Sequence, residues 1–341
     1  MRILIYSPLF LPSVGGLEVV VATCAEGFAA RGHEVAVVTT TPGLEPDASP
    51  YRVVRRPGPI ELLKWTIWCD VYFQANVSLR GLWPLALVRR PWVVSHHSWY
   101  CRPDGRIGMR DRLKRWLIGH ARASIAVSNA MAADLETPCT VIGNPYRDRL
   151  FGRLPGVART GTLIFVGRLV SDKGVDVLLD ALHQLKARGL APRLSIVGEG
   201  PERPALETLT RRLGLAEQVE MRGVLQGEAL VAELNRHRLL IVPSRYNEPF
   251  GVVALEAIAC GCAVIGSSGG GLPEAIGSCG KTFPNGNARE LAQVIEDLMS
   301  RAGAIELLLT DADRHLRRHA GDSVIERYLA VIGDAIGNHG R

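Results

Sequence analysis

The chain has 341 residues, 47% of them hydrophobic and 22% charged, a balance that excludes a disordered or fibrous protein and suggests two domains at roughly 100–200 residues each. Its formal charge of +6 resides in residues 1–150, which hold 18 basic and 12 acidic side chains, while residues 151–341 hold 22 of each. All six tryptophans, Trp65 to Trp116, share the basic half, which points to an anionic partner there; nucleic acid is disfavoured, because no nucleic-acid motif accompanies the charge.

In chain order, residues 3–7 read as a short buried strand. Gly15-Gly16 then opens a helix over 17–31, and 33–40 supplies a second strand. Strand, glycine turn, helix and strand make the parallel unit of a doubly wound sheet. Further strands are predicted at 91–95, 124–127 and 140–142, and the aperiodic stretch 144–161, with Pro145, Gly152, Pro155 and Gly156, reads as the linker. The pattern then restarts with a strand at 162–166, a helix at 175–187, strands at 193–197 and 239–242, a helix at 252–259 and a strand at 263–266. Each strand of this half runs into a small or glycine-rich loop, where ligands of open α/β sheets bind. We therefore expect an α/β protein of two Rossmann-like, doubly wound domains facing across a cleft. The expected boundaries are 1–148 and 149–320, with a terminal helix in 321–341 packing back towards the N-terminal domain.

The strongest chemical signal is Glu248-Pro-Phe-Gly-Val-Val-Ala-Leu-Glu256. Two carboxylates eight apart lie on nearly one helical face, but Pro249 and Gly251 keep the first in a loop. Glu248 would then sit at the helix mouth, with the Phe250 and Gly251 amides available to a polar ligand, and Glu256 could reach a diol such as a ribose. Pro243-Ser244 precedes this motif, and Cys260-Gly-Cys-Ala-Val-Ile265 and Gly269-Gly270-Gly271 follow it.

With Gly167-Arg168-Leu169, Lys173-Gly174, Val197-Gly-Glu-Gly-Pro201, Pro243-Ser244 and Gly269 to Glu274, this ordered set resembles the retaining family 4 glycosyltransferases, which have the GT-B fold. The N-terminal half resembles them more loosely, through Gly15-Gly16, Val93-Val-Ser-His-His97 and Val127-Ser128. The resemblance implies transfer of a sugar from a UDP- or GDP-sugar to a hydroxyl of a glycan or lipid-linked glycan, in bacterial cell-surface polysaccharide, lipopolysaccharide or glycolipid synthesis. It implies that Arg168 and Lys173 hold the donor diphosphate, where fixed cations stabilise the charge of a departing nucleotide. Glu248 would contact the transferred sugar, Glu256 the ribose, and the Phe250 and Gly251 amides the sugar hydroxyls. Gly198 and Gly200 would shape the nucleobase pocket. The Gly16 amide resembles a loop closing on the phosphates, and a plain tight turn at Gly15-Gly16 is the competing reading. His97 is the counterpart of the family's active-site histidine, with His96 one residue away as competitor. Trp99 would stack on an acceptor sugar or simply pack. Gly198-Glu-Gly-Pro201 lacks the continuation of a dinucleotide fingerprint, which argues against NAD.

No metal or other cofactor is expected. Asp311-Ala-Asp313 mimics a metal-binding pair but sits in a charged tail helix. The seven cysteines are scattered, Cys260 and Cys262 being too close for a zinc hook, and read as reduced thiols. The apolar stretch after Arg2 is broken by Tyr6, Ser7 and Pro8, unlike a signal peptide. The longest uncharged run, residues 257–273, is too short to span a bilayer as a helix. The expected location is the cytoplasm, with peripheral contact at the inner face of the plasma membrane.

That contact would come from 102–122, where Arg102, Arg106, Arg110, Arg112, Lys114, Arg115 and Arg122 face only Asp104 and Asp111, and Met109, Leu113, Trp116 and Leu117 share one helical face. A basic amphipathic helix with an interfacial tryptophan can lie on an anionic membrane or cradle a pyrophosphate-linked acceptor. A core-facing helix with a solvated basic side fits equally. The rival functions are a GT-B nucleotide-sugar epimerase, which needs no acceptor, and a catalytically silent nucleotide-sugar-binding protein. Retention of Arg168, Lys173, Glu248 and Glu256 together argues against the silent protein.

Overall fold

The computed structural model describes residues 1–13, 15–43, 49–101 and 105–337. The chain divides into two units, Met1–Pro145 with Gly321–Arg341, and Tyr146–Ala320.

The first unit has the strands β1 (Arg2–Tyr6), β2 (Glu34–Thr39), β3 (Arg52–Arg55), β4 (Val71–Ala75), β5 (Trp92–His96), β6 (Ala123–Ala126) and β7 (Thr140–Val141), and the helices α1 (Gly16–Ala30), α2 (Pro59–Trp68), α3 (Leu79–Leu82), α4 (Met109–Ile118) and α5 (Asn129–Leu135). The strands form one parallel sheet in the order β3-β2-β1-β4-β5-β6-β7. The order reverses between β1 and β4, the doubly wound plan. Side chains alternate between two layers. Ile3, Ile5, Val37 and Phe73 meet Val20, Val21 and Phe28 of α1. Leu4, Ala36, Val38 and Tyr72 meet Leu62 of α2, Ile118 of α4 and Met131 of α5. Burial on both faces is what crossover helices impose on a parallel sheet.

The sequence pattern does not mark β3 or β4. Arg52-Val-Val-Arg55 is closed by charge at both ends, and β4 is followed by Asn76 at φ 61 rather than by a glycine. Asparagine tolerates this left-handed conformation better than most residues, so the turn carries no glycine to announce it.

The second unit runs β8 (Leu163–Val166), α6 (Val175–Ala187), β9 (Leu194–Val197), α7 (Arg203–Arg212), β10 (Val219–Gly223), α8 (Gly227–Asn235), β11 (Leu239–Val242), α9 (Val252–Ala259), β12 (Ala263–Ser267), α10 (Leu272–Ile276), β13 (Gly280–Phe283), α11 (Ala288–Ser300), α12 (Ala304–Leu308) and α13 (Ala312–Arg317). Its sheet is parallel, in the order β10-β9-β8-β11-β12-β13. Leu178, Leu182 and Leu185 of α6 pack with Leu291 and Ile295 of α11 on Phe165, Ile196, Ile241 and Ile265. Each such fully buried side chain contributes about 1.5–3 kcal/mol relative to exposure.

The closing helix α14 (Gly321–Gly337) belongs to the first unit, where Val324, Ile325, Tyr328 and Ile332 bury in the layer of α1. Gly27 permits the approach, because a Cβ there would lie 2.6 Å from Ile325.

Candidate active site

In the second unit the site begins where backbone meets backbone. Gly198, after β9, stands at φ 141, and a side chain there would run into the Gly167 carbonyl oxygen after β8. One at Gly200 would run into the Leu169 carbonyl oxygen. These two glycines fix the shape of adjoining strand-end loops, and Arg168 stands exposed between Gly167 and Leu169.

A 3₁₀ turn, Ser171–Lys173, follows, and Gly174 at φ 65 lies against the Pro243 carbonyl as α6 begins. The turn delivers Lys173, whose Nζ donates to Glu248 Oε1 at 2.5 Å, while Ser244 Oγ donates to the same oxygen at 2.7 Å. Glu248 is 8% exposed, so the two donors satisfy a carboxylate largely withdrawn from water. Its backbone is held as well. The Gly271 N–H donates to the Glu248 carbonyl at 2.7 Å, and Gly270 forms a lone parallel bridge with Glu248. The triple-glycine loop is thus what fixes the Glu248 loop.

Helix α9 starts after Gly251, which sits at φ 108 with Leu272 Cδ1 2.6 Å from where a Cβ would project. The Phe250 and Gly251 amides precede the first turn, where a helix leaves N–H groups without intrahelical partners. The Phe250 ring is buried and tilted over His319 at 5.4 Å, so its side chain anchors the loop. One turn into the helix, Glu256 is 9% exposed and accepts from Arg147 Nε at 3.4 Å and Nη2 at 3.2 Å. Burial raises the Glu256 carboxyl above its ordinary pKa, with the Arg147 charge and hydrogen bond pulling it down. Arg147 escapes sequence reading. It lies 109 positions from its partner, and no spacing rule links the two.

In the first unit, Gly15 is the extended residue before α1, and a Cβ on it would sit 2.5 Å from the Glu18 carboxylate. Glu18 is buried and accepts from Ser13 Oγ at 2.9 Å, a contact the sequence pattern does not signal. Gly16 faces open space. The two histidines at the end of β5 differ. His96 is fully buried, with Nδ1 2.8 Å from the Tyr100 hydroxyl, and burial lowers its pKa to about 3. His97 is half-buried. Its backbone N–H donates to Asn76 Oδ1 at 2.7 Å, its ring Nε2 lies 2.9 Å from Ser95 Oγ, and burial lowers its pKa to about 4 against a hydrogen bond to Asn144. Both rings are neutral at pH 7, and His97 is the one that reaches the surface.

The half-buried Trp99 packs on the core layer beneath α4. On α4 three of the four stripe residues point outward, Met109 85% exposed, Leu113 44% and Trp116 62%, while Leu117 and the fully buried Ile118 seat the helix on the core layer. Arg110 is exposed and Lys114 lies 5.7 Å from the Tyr100 ring centroid. Arg115 departs from the expected basic face: it turns inward to Asp134, Nη2 to Oδ2 at 2.6 Å. Arg102 and Asp104 lie outside the described residues. Among the described residues no helix is long and apolar enough to cross a membrane, and Asp311 pairs with Arg314 at 2.7 Å.

Two Rossmann-like units, the second pairing Lys173 with Glu248 and Arg147 with Glu256, define a doubly wound α/β protein. A family model described as glycosyl transferases group 1 matches residues 148–309, and one described as glycosyltransferase family 4 matches residues 14–146. The chain belongs to this family of glycosyltransferases. It is 34% identical over 223 residues to the D-inositol 3-phosphate glycosyltransferase of Salinispora tropica, a match spanning 60% of this chain and 45% of that one. Sucrose-phosphate synthase of Thermosynechococcus elongatus is similar in structure, with a TM-score of 0.84 over 99% of both chains at 22% identity. So is Anabaena HepE, solved with UDP and glucose, with a TM-score of 0.81 over 98% of this chain and 100% of that one at 22% identity. These likenesses show the GT-B fold.

Proposed function

We propose that the protein is a retaining, metal-independent glycosyltransferase that moves a sugar from a UDP- or GDP-sugar to a hydroxyl of a glycan or lipid-linked glycan. The observation that carries this reading is the convergence of Lys173 and Ser244 on Glu248, with Arg168 exposed on the loop that carries Lys173 and Glu256 one turn into the following helix. The buried Glu256 accepts hydrogen bonds from the ribose diol. The Glu248 carboxylate and the Phe250 and Gly251 amides orient the transferred sugar. The bond from the anomeric carbon to the diphosphate oxygen breaks, and Arg168 and Lys173 stabilise the negative charge that develops there. The acceptor hydroxyl bonds to the anomeric carbon on the same face, and its proton passes to the departing diphosphate, so configuration is retained without a carboxylate nucleophile. His97, neutral at pH 7, serves as a hydrogen-bonding group and not as a fixed cation.

UDP in the HepE structure supports uridine as the first base to test. Thermal melting with UDP, GDP and ADP in EDTA tests the donor assignment. One base should raise Tm selectively, since binding to the folded state stabilises by mass action. No shift with any of them would overturn it.

A specific observation supports membrane contact as well. The outward-facing Met109, Leu113 and Trp116 are interleaved with Arg110 and Arg112, the pattern of a helix lying on an anionic bilayer. The acceptor is then a glycan carried at the cytoplasmic membrane face.

A further inference from the structure

Trp65 and Trp68 belong to the tryptophan-rich half of the chain and have no part in the donor site. They share a stripe of α2 with Glu61 and Lys64, at helical spacings of three and four. With Arg52 of the edge strand β3 and Ile60, they line a cavity of about 690 Å³. The indoles meet edge to face, with centroids 5.2 Å apart at 80°. The Arg2 guanidinium lies 6.0 Å from the Trp68 ring centroid and is itself held by Asp70 at 2.7 Å. Both rings are half-buried and packed on the core layer, whereas Arg52, Glu61 and Lys64 are exposed. The ring orientations are therefore set before any ligand arrives.

We propose that this groove is an oligosaccharide-binding subsite, separate from the donor loops. Its rings stack on the C–H faces of pyranose units, and Glu61, Lys64 and Arg52 hydrogen-bond their hydroxyls. The inference rests on the glycosyltransferase reading for the class of ligand. An aromatic lining with a few converging polar groups is the composition of a small-ligand site. Indoles supply rigid apolar faces with a negative quadrupole, suited to polarised C–H bonds. The rim decides among occupants. One acceptor-only carboxylate beside two donor-only cations serves both halves of a hydroxyl group. An anionic bilayer would favour cations alone, and an apolar protein partner would leave three charges to desolvate.

The test is to label the full chain with 5-fluorotryptophan, assign Trp65 and Trp68 by W65F and W68F, and titrate cellotetraose, maltotetraose and chitotetraose without nucleotide. At least one sugar should shift the Trp65 and Trp68 resonances saturably while leaving Trp116 in place. The double variant E61A/K64A, altered only on the exposed rim, should weaken that binding by about tenfold or more, the worth of one hydrogen bond to a charged group. The proposal is overturned if none of the three sugars moves either resonance, or if the double variant binds as tightly. It is overturned too if phosphatidylglycerol vesicles move both resonances and the sugars do not. Because no nucleotide is present, a failure of the donor assignment appears only in the separate UDP and GDP measurements.

Discussion

The two units share a parallel-sheet plan but equip their strand ends differently. In the second, the loops after β8 and β11 hold charges in place, Lys173 against Glu248, with Arg147 against Glu256 in the helix that follows and glycines locking backbone to backbone. In the first, the end of β5 carries two histidines that burial keeps neutral, and the excess positive charge is spread over strands, loops and α4. On the proposed reading, one sheet fixes a charged ligand at a defined place and the other offers an uncharged strand end, so the leaving group and the acceptor are recognised on different units.

The contrast breaks most visibly if the charged loops are dispensable. K173M and E248Q should each lower transfer by about 10²–10³-fold, the usual effect of deleting one fixed electrostatic contact to a developing charge, with unchanged far-UV circular dichroism. Near-native turnover in both would move the chemistry elsewhere. A smaller effect is expected at the ribose. E256Q should weaken nucleotide binding by about tenfold to a hundredfold, as for hydrogen bonds to a charged group at ~1.5–3 kcal/mol. R147M sharpens the point, because burial already raises the Glu256 carboxyl and Arg147 opposes it. Without Arg147 the carboxyl takes up its proton at higher pH, so nucleotide affinity in R147M should begin to fall at higher pH than in the wild type as the solution is acidified. Identical pH profiles would dismiss this role for Arg147.

The first unit predicts a different pH response, read in stability. The folded-state pKa values of about 3 for His96 and about 4 for His97 lie below the unfolded value of about 6.5. The unfolded chain therefore takes up protons that the folded one refuses. The histidines' contribution is complete above about pH 6.5 and is lost as pH falls towards the folded values. Urea midpoints at neutral pH and near pH 5 should differ less for H97Q than for the wild type, and equal differences would refute the assignment. The smallest effect on folding belongs to α4. L113E/W116E, both exposed, should change stability by within about 0.5 kcal/mol and leave nucleotide affinity intact, yet reduce flotation with phosphatidylglycerol vesicles several-fold. Unchanged flotation would remove the membrane from the account.

Legibility follows the same division only in part, since the sequence pattern marks neither β10 nor β13 of the second unit. In the second unit, α6, β11 and α9 fall on the predicted bounds because Gly174, Pro243 and Gly251 punctuate them. In the first, β3 ends in arginines and the turn after β4 uses Asn76, so periodicity and glycine spacing were both silent. The two carboxylates of the second unit are legible because their spacing is local. Arg147 is not, since it meets Glu256 across 109 positions, and Ser244 is legible as part of Pro243-Ser244 but not as the donor to Glu248. The outward turn of the α4 apolar stripe was equally beyond the pattern, since amphipathicity defines a face without saying what covers it.

The donor site is probed first by calorimetric titration of UDP and GDP into the wild type and E256Q in EDTA. One of the two nucleotides should bind the wild type without divalent metal and bind E256Q at least about tenfold more weakly. Failure of both nucleotides to bind, or equal affinity in E256Q, would contradict the donor assignment.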